Sequence, residues 1–219
     1  MPAWLLYTVV SLFFVLAATA LFFFTVTRGA LLMRGVMPGP ANDADHVYPI
    51  YSNLRLIRLI DFQPIIAAIL LFQYDRLVSA IVHGLQHMNL RGKNVLITSC
   101  AFGNVIPRVV NAAIDTGARR VLIADIIKNE LDHAQGKLLT HAGKIEFLQE
   151  NAIAMKQADN SVSANVIFFL LHELPHHLKG QALKEAGRVL EPGGKLYLAE
   201  FHRPDLWAVS YTHLTLPTN

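Results

Sequence analysis

The sequence predicts an α/β protein, a doubly wound and mainly parallel sheet with one long apolar helix ahead of it. Three observations predict this. From Gly92 onward, short apolar runs of strand length alternate with segments of helix length. The first run leads directly into a turn containing Gly103 and then a helical stretch. At the amino end, an uncharged run from Trp4 to Thr27 stands apart from this texture. Alternation at this spacing implies βαβ units, because parallel strands need a crossover about as long as a helix.

Taken in order, the first element is "WLLYTVVSLFFVLAATALFFFTVT". A spanning helix needs roughly 20 apolar residues, and this run supplies them. A cleaved signal peptide would have a basic start and an apolar core of roughly 7–15 residues, neither of which is present. Residues 1–27 are therefore expected to be a retained, single-pass membrane anchor. Arg28 and Arg34 follow the run, and the positive-inside rule puts the remainder on the cytoplasmic side of the inner membrane.

Residues 28–92 read as a linker and a helical lead-in. "MPGPANDADHVYP" carries turn-forming Pro, Asn and Asp. Leu and Ile then recur at three and four up to Met88, with Pro64 expected to break the helix. This lead-in is expected to cap a substrate site. Strands are predicted at Val95–Thr98, Arg120–Asp125, Ile145–Glu150, Asn165–Leu171 and Lys195–Glu200. Helices are predicted at Ile106–Thr116, Asn129–Ala142 and Leu178–Leu190.

The α/β domain is placed at residues 93–208 and is expected to be partial, since such a sheet ordinarily continues past a fifth strand. "SYTHLTLPTN" has neither helical nor strand logic that fits, and residues 209–219 read as a non-native tail.

Composition narrows the function classes. Of 219 residues, 53% are hydrophobic and only 16% charged, with a formal charge of +3. Lys and Arg are scattered, without a basic stripe or interleaved aromatics, which argues against a nucleic-acid partner. A single cysteine, Cys100, excludes an internal disulfide and suits a reducing compartment.

Candidate site residues gather where strands end, because open parallel sheets bind ligands there. Gly103 lets a backbone come close to a ligand, and Thr98, Ser99 and Asn104 offer polar partners. The loop has no basic residue before Arg108, so a pyrophosphate cofactor fits poorly. A cofactor without phosphate, such as S-adenosylmethionine, stays open, and the loop alone does not decide. Asp125 ends the second strand about 20 residues past the glycine, where a ribose hydroxyl pair is read. The alternative for Asp125 is a helix cap. Asn151, after the third strand, is placed to contact a base.

"HELPH" at residues 172–176 formally matches a zinc-protease pattern. Pro175 and the strand-like "NVIFFLL" before it deny the two histidines a common helix, so that reading is rejected. His172 is instead expected to move a proton, with Glu173 orienting it or holding a metal.

The stretch "LLHELPHHLKGQALKEAGRVLEPGGKLYLAEFHRP" resembles class I S-adenosylmethionine-dependent methyltransferases, and most of all the ubiquinone/menaquinone C-methyltransferase branch. Two departures stand out: "TSCAFGN" replaces an acid and several glycines, and Glu150-Asn151 replaces Gly-Asp. With "FFLLHELP", "AEFHRP" and "YPIYSNLRLIRLIDFQPI", they resemble a divergent offshoot, the rhodoquinone biosynthesis family.

That resemblance implies a class I methyltransferase-like, Rossmann-like fold. It further implies conversion of ubiquinone to rhodoquinone, an amino group replacing a ring methoxy group. S-adenosylmethionine would donate the amine, with manganese as metal. The catalytic set expected from it is His172, Glu173, Tyr74 and His202. Its cofactor set is Thr98, Ser99, Gly103, Asn104, Asp125 and Asn151. The rival expectations are an ordinary membrane quinone methyltransferase and a non-catalytic cofactor-binding subunit.

Overall fold

The computed structural model describes residues 3–22, 54–69, 73–100, 102–138, 143–202 and 210–217. The chain divides into two compact units, Met1–Ile50 and Tyr51–Asn219. Within the first, helix α1 runs from Ala3 to Phe22. Its stretch Trp4–Leu21 is long and apolar enough to cross a membrane, and none of it is buried within the protein. Its two threonine hydroxyls stay paired to the helix itself, Thr8 Oγ1 donating to the Trp4 carbonyl at 2.9 Å and Thr19 Oγ1 to the Val15 carbonyl at 2.7 Å. Such back-bonding lets threonine sit in an apolar helix without an orphaned donor.

The second unit begins with three short helices, α2 (Leu54–Ile60), α3 (Gln63–Ile69) and α4 (Tyr74–Gln86). The expected break falls at Asp61-Phe62, just ahead of Pro64, which sits in the first turn of α3 where its missing N–H costs nothing. The chain then alternates through β1 (Asn94–Thr98), α5 (Val105–Asp115), β2 (Arg120–Asp125), α6 (Lys128–Gly136), β3 (Ile145–Gln149), β4 (Val162–Phe168), α7 (His176–Val189), β5 (Leu190–His202) and β6 (Ser210–Pro217). The strand order is β3-β2-β1-β4-β5-β6. The first five strands are parallel, and β6 runs antiparallel to β5. The order reverses beside β1, and the carboxyl ends of β1 and β4 are the usual ligand position in such sheets.

Two apolar layers hold the sheet. On one face Leu77, Val78, Ile81 and Leu85 of α4 meet Val105, Ile106, Val109 and Val110 of α5. On the other, Ala182, Ala186 and Val189 of α7 pack over Leu96, Leu196 and Leu198. Small residues bring α7 close to the strands. Gly84 does the same for α4, since a Cβ there would overlap the ring of Tyr197. Strands buried on both faces lose the alternating pattern, which is why β1 and β2 read as near-continuous apolar runs.

Two expectations are corrected. The fourth strand occupies Val162–Phe168, ahead of its predicted position, because Phe169 turns into a positive φ of 55° and ends it. The closing segment, expected to have no strand pattern, forms β6, paired from His202↔Ser210 to Lys195↔Pro217. Its Tyr and Thr are strand-favouring residues. It covers the edge of β5.

Candidate functional site

The loop after β1 lacks the glycines that would let it turn freely, so other groups hold its shape. Ser99 takes a φ of 85°, in a region that costs a residue with a Cβ about 1–2 kcal/mol. Its amide is kept in the sheet ladder by the Ala124 carbonyl at 2.8 Å. The next amide, Cys100 N–H, donates to Asp125 Oδ2 at 2.6 Å, and Asp125 Oδ1 accepts Ile127 N–H at 2.8 Å. Asp125 therefore ties the turn after β1 to the turn after β2. Burial pushes its carboxyl pKa up, and the amide hydrogen bonds from Cys100, Ile127 and Ile126 work against that.

The expected cofactor residues separate into two groups. Asp125, Asn104 and Asn151 lie at the carboxyl ends of β2, β1 and β3. Asn104 precedes α5 without capping it, and its Oδ1 is buried with no hydrogen-bond partner. Asn151 folds back on its own turn, accepting Ile153 N–H at 3.1 Å. Thr98 belongs elsewhere. Its hydroxyl is buried in the sheet and donates to Asn165 Oδ1 at 2.8 Å, so it holds β1 to β4. Ser99 contributes its backbone turn. Gly103, at a φ of 85°, has its open face filled by Tyr74, whose hydroxyl a Cβ there would overlap.

Tyr74 is thereby removed from the expected catalytic set. It is buried, accepts Val105 N–H at 2.7 Å and donates to the Phe102 carbonyl at 3.1 Å. Burial drives its phenol pKa well up, so the hydroxyl stays protonated and serves the loop.

His172 lies just past the carboxyl end of β4. Its ring Nδ1 is 2.9 Å from Glu200 Oε1 on β5, and its backbone N–H donates to Glu200 Oε2 at 3.2 Å. A carboxylate only accepts, so Nδ1 carries the proton and the basic lone pair lies on Nε2. The His172 side chain is 38% exposed while Glu200 is 15%, which sets a wet base on a sheltered acid. Phe169 stands edge-on to His172, ring centroids 6.2 Å apart.

Glu173 was expected to orient His172, but Glu200 does so. Glu173 instead acts on Glu130, a buried acid whose pKa rises to about 9, mainly through burial and then through Asp125 and Glu173. Glu130 Oε1 has no hydrogen-bond partner. His202 occupies the last position of β5, opposite Ser210; its side chain lies outside the described residues. The helix after β4 starts at His176, so His172 and His176 share no helix, in keeping with the rejection of a zinc-protease site. Among the described residues no three His, Cys, Asp or Glu side chains converge to hold a metal, so the manganese expectation has no ligand set there.

Sequence reasoning missed Glu200, Glu130 and Asp61. An acid at the carboxyl end of a strand, as in "YLAEF", was the available signal for Glu200. No sequence signal tied Asp61 or Glu130 to the loop, and it is the fold that brings them there.

Comparison with known proteins bears on the family and the fold. Residues 63–216 match the ubiE/COQ5 methyltransferase family. The ubiquinone/menaquinone biosynthesis C-methyltransferase UbiE of Hahella chejuensis is 41% identical over 87 residues, 39% of this chain and 34% of that protein. UbiE of Klebsiella pneumoniae is 34% identical over 116 residues, 52% of this chain and 45% of that protein. The chain thus spans less than half the length of these curated relatives.

Among solved structures, an S-adenosylmethionine-dependent methyltransferase from Aquifex aeolicus matches at a TM-score of 0.51 and 19% identity, over 71% of this chain and 78% of that one. A putative methyltransferase of the same dependence from Methanococcus maripaludis matches at 0.50 and 12% identity, over 75% and 68%. These two likenesses show the fold, a class I methyltransferase-like, Rossmann-like sheet. The chain belongs to the ubiE/COQ5 methyltransferase family.

Proposed function

We propose that this chain is an S-adenosylmethionine-dependent transferase that modifies the ring of a membrane quinone, methylating a ring carbon. The observation that carries the reading is the His172–Glu200 pair, a held base past the carboxyl end of β4, beside the switch point, in a fold of this family. The names of the relatives, ubiquinone/menaquinone C-methyltransferases, supply the substrate class.

The residues present fit the cofactor. Asp125 ends β2 with its carboxylate fixed by two amides, and a carboxylate has further lone pairs for ribose hydroxyls. The orphaned Asn104 Oδ1 is a buried acceptor beside the same loop. Asn151 marks the end of β3. When bound, S-adenosylmethionine supplies an activated methyl group or, in the second reading below, an amino nitrogen. For ring methylation, His172 Nε2 would take the proton from a quinol hydroxyl to make the ring carbon nucleophilic; the proton that carbon loses on gaining the methyl would restore the hydroxyl, so one proton leaves with S-adenosylhomocysteine. Glu200 holds the imidazole in the required tautomer and stabilises the imidazolium that results. Phe169 offers an aromatic edge beside that base. The long apolar helix suits a lipid substrate, holding enzyme and quinone at one surface.

The second reading is replacement of a ring methoxy group by nitrogen, the rhodoquinone-forming reaction. One observation favours it: the loop after β1 is rebuilt, with Ser99 at a glycine-like φ and Gly103 covered by Tyr74. A loop of altered shape can turn a different end of the cofactor toward the ring. Here His172 would keep the attacking amine unprotonated.

The experiment follows the cofactor's methyl carbon. Full-length protein is incubated with a reduced quinone lacking the ring methyl and cofactor heavy at that carbon. Label in the quinone supports methylation; quinone turnover that leaves the label on the cofactor product rejects it.

A further inference from the structure

The lead-in helices do more than cover the sheet. Asp61, in the turn between α2 and α3, lies against the cofactor loop and the end of α6. Its Oδ1 accepts the Gly103 N–H, and its Oδ2 meets His133 Nε2 at 2.8 Å and Lys137 Nζ at 2.5 Å. Lys137 Nζ also donates to the Gly103 carbonyl at 3.0 Å. All three side chains are sheltered: 11% exposed for Asp61, 17% for His133 and 19% for Lys137. Thirteen residues further on, Tyr74 bonds the Phe102 carbonyl and the Val105 amide from α4. Backbone groups of Phe102, Gly103 and Val105 are thus held by side chains from outside the sheet.

We infer that Asp61 and Tyr74 form a clamp that sets the cofactor loop in its binding shape, and that they are positioning residues for the cofactor. The physical need is plain. A glycine-rich loop reaches its turn through the freedom of its own backbone. This loop has Ser99 strained at a positive φ and side chains at four of the five positions from Ser99 to Gly103. Its conformation must be imposed by neighbours, since strained backbone persists only where the surroundings over-determine it.

Gly103 shows the exchange directly. Its missing side chain, which in a phosphate-binding loop admits a ligand, admits the Tyr74 ring here. A sheltered carboxylate that meets an amide, an imidazole and an ammonium group also resists removal, because its loss leaves those partners uncompensated. The cofactor affinity of this chain therefore depends on a segment that precedes the sheet.

The inference rests on the cofactor reading above, and the test separates the two. Full-length protein in detergent is titrated with S-adenosylhomocysteine by calorimetry, as wild type, Asp61→Asn and Tyr74→Phe. Tyr74→Phe keeps the ring against Gly103 and Phe168 and deletes only the hydroxyl, so it decides alone if Asp61→Asn lowers the folded fraction. The expected result is Kd raised at least tenfold with unchanged stoichiometry, and faster amide exchange confined to residues 98–105. Wild-type Kd in the variants, with or without a lower stoichiometry, would mean a merely structural role and overturn the clamp. Absence of any wild-type binding would overturn the cofactor reading and the clamp with it.

Discussion

His172 and Glu200 are joined twice, ring Nδ1 to Oε1 at 2.9 Å and backbone N–H to Oε2 at 3.2 Å, although they lie on different segments of the chain. A carboxylate that holds both the ring and the backbone of a histidine fixes its orientation as well as its tautomer. Glu200→Gln removes the charge that stabilises imidazolium while keeping an acceptor in place. The expected effect is a fall in kcat of about 10- to 100-fold, within the usual range for general-base assistance, with the cofactor KM unchanged. Steady-state kinetics over pH 6–9 check it. A kcat equal to wild type across that range would take Glu200 out of the mechanism.

The buried acid Glu130 gives a pH prediction. Its pKa rises from 4.5 in the ordinary case to about 9 in the fold, chiefly by burial. Between those values the folded protein keeps a proton that the unfolded chain releases, so stability falls as pH climbs through the window. The penalty grows by up to about 1.4 kcal/mol per pH unit. Glu130→Gln cannot ionise and is expected to raise the melting temperature at pH 8 while changing it little at pH 4. An equal shift at both pH values would show that Glu130 is not held neutral.

How much of this was legible in the sequence follows from range. The limits of β2 and the breakpoint near Pro64 were readable because local chemistry sets them: a polar residue ending an apolar run, and a proline in a first helical turn. Asp125 was readable as the acid at a strand tip, though not its bond to the Cys100 amide. Thr98 was misread because a strand buried on both faces gives no sign of which hydroxyl points into the sheet. Tyr74, Asp61 and Glu200 act on residues far along the chain, and only the packing of α2–α4 and β5 brings them there. No periodicity records such pairings.

The apolar helix carries its own prediction. Trp4–Leu21 is unburied among the described residues and is expected to anchor the chain in a bilayer. Removing residues up to Thr27 should move most of the protein from the membrane fraction to the soluble fraction. Full-length protein found in the supernatant after cell disruption and a high-salt wash would contradict the anchor.

The central claim, group transfer from S-adenosylmethionine to a quinone ring, is tested most directly by the mass of the quinone product. The cofactor is made heavy at the methyl carbon and, separately, at the amino nitrogen, and offered with reduced quinone substrates to wild type and to His172→Ala. The expected result is a heavier quinone carrying the labelled carbon, lost in His172→Ala while S-adenosylhomocysteine still binds. A lighter quinone carrying the labelled nitrogen would replace methylation by the amino-transfer reading. A quinone that acquires neither label, with cofactor left intact, would contradict the account.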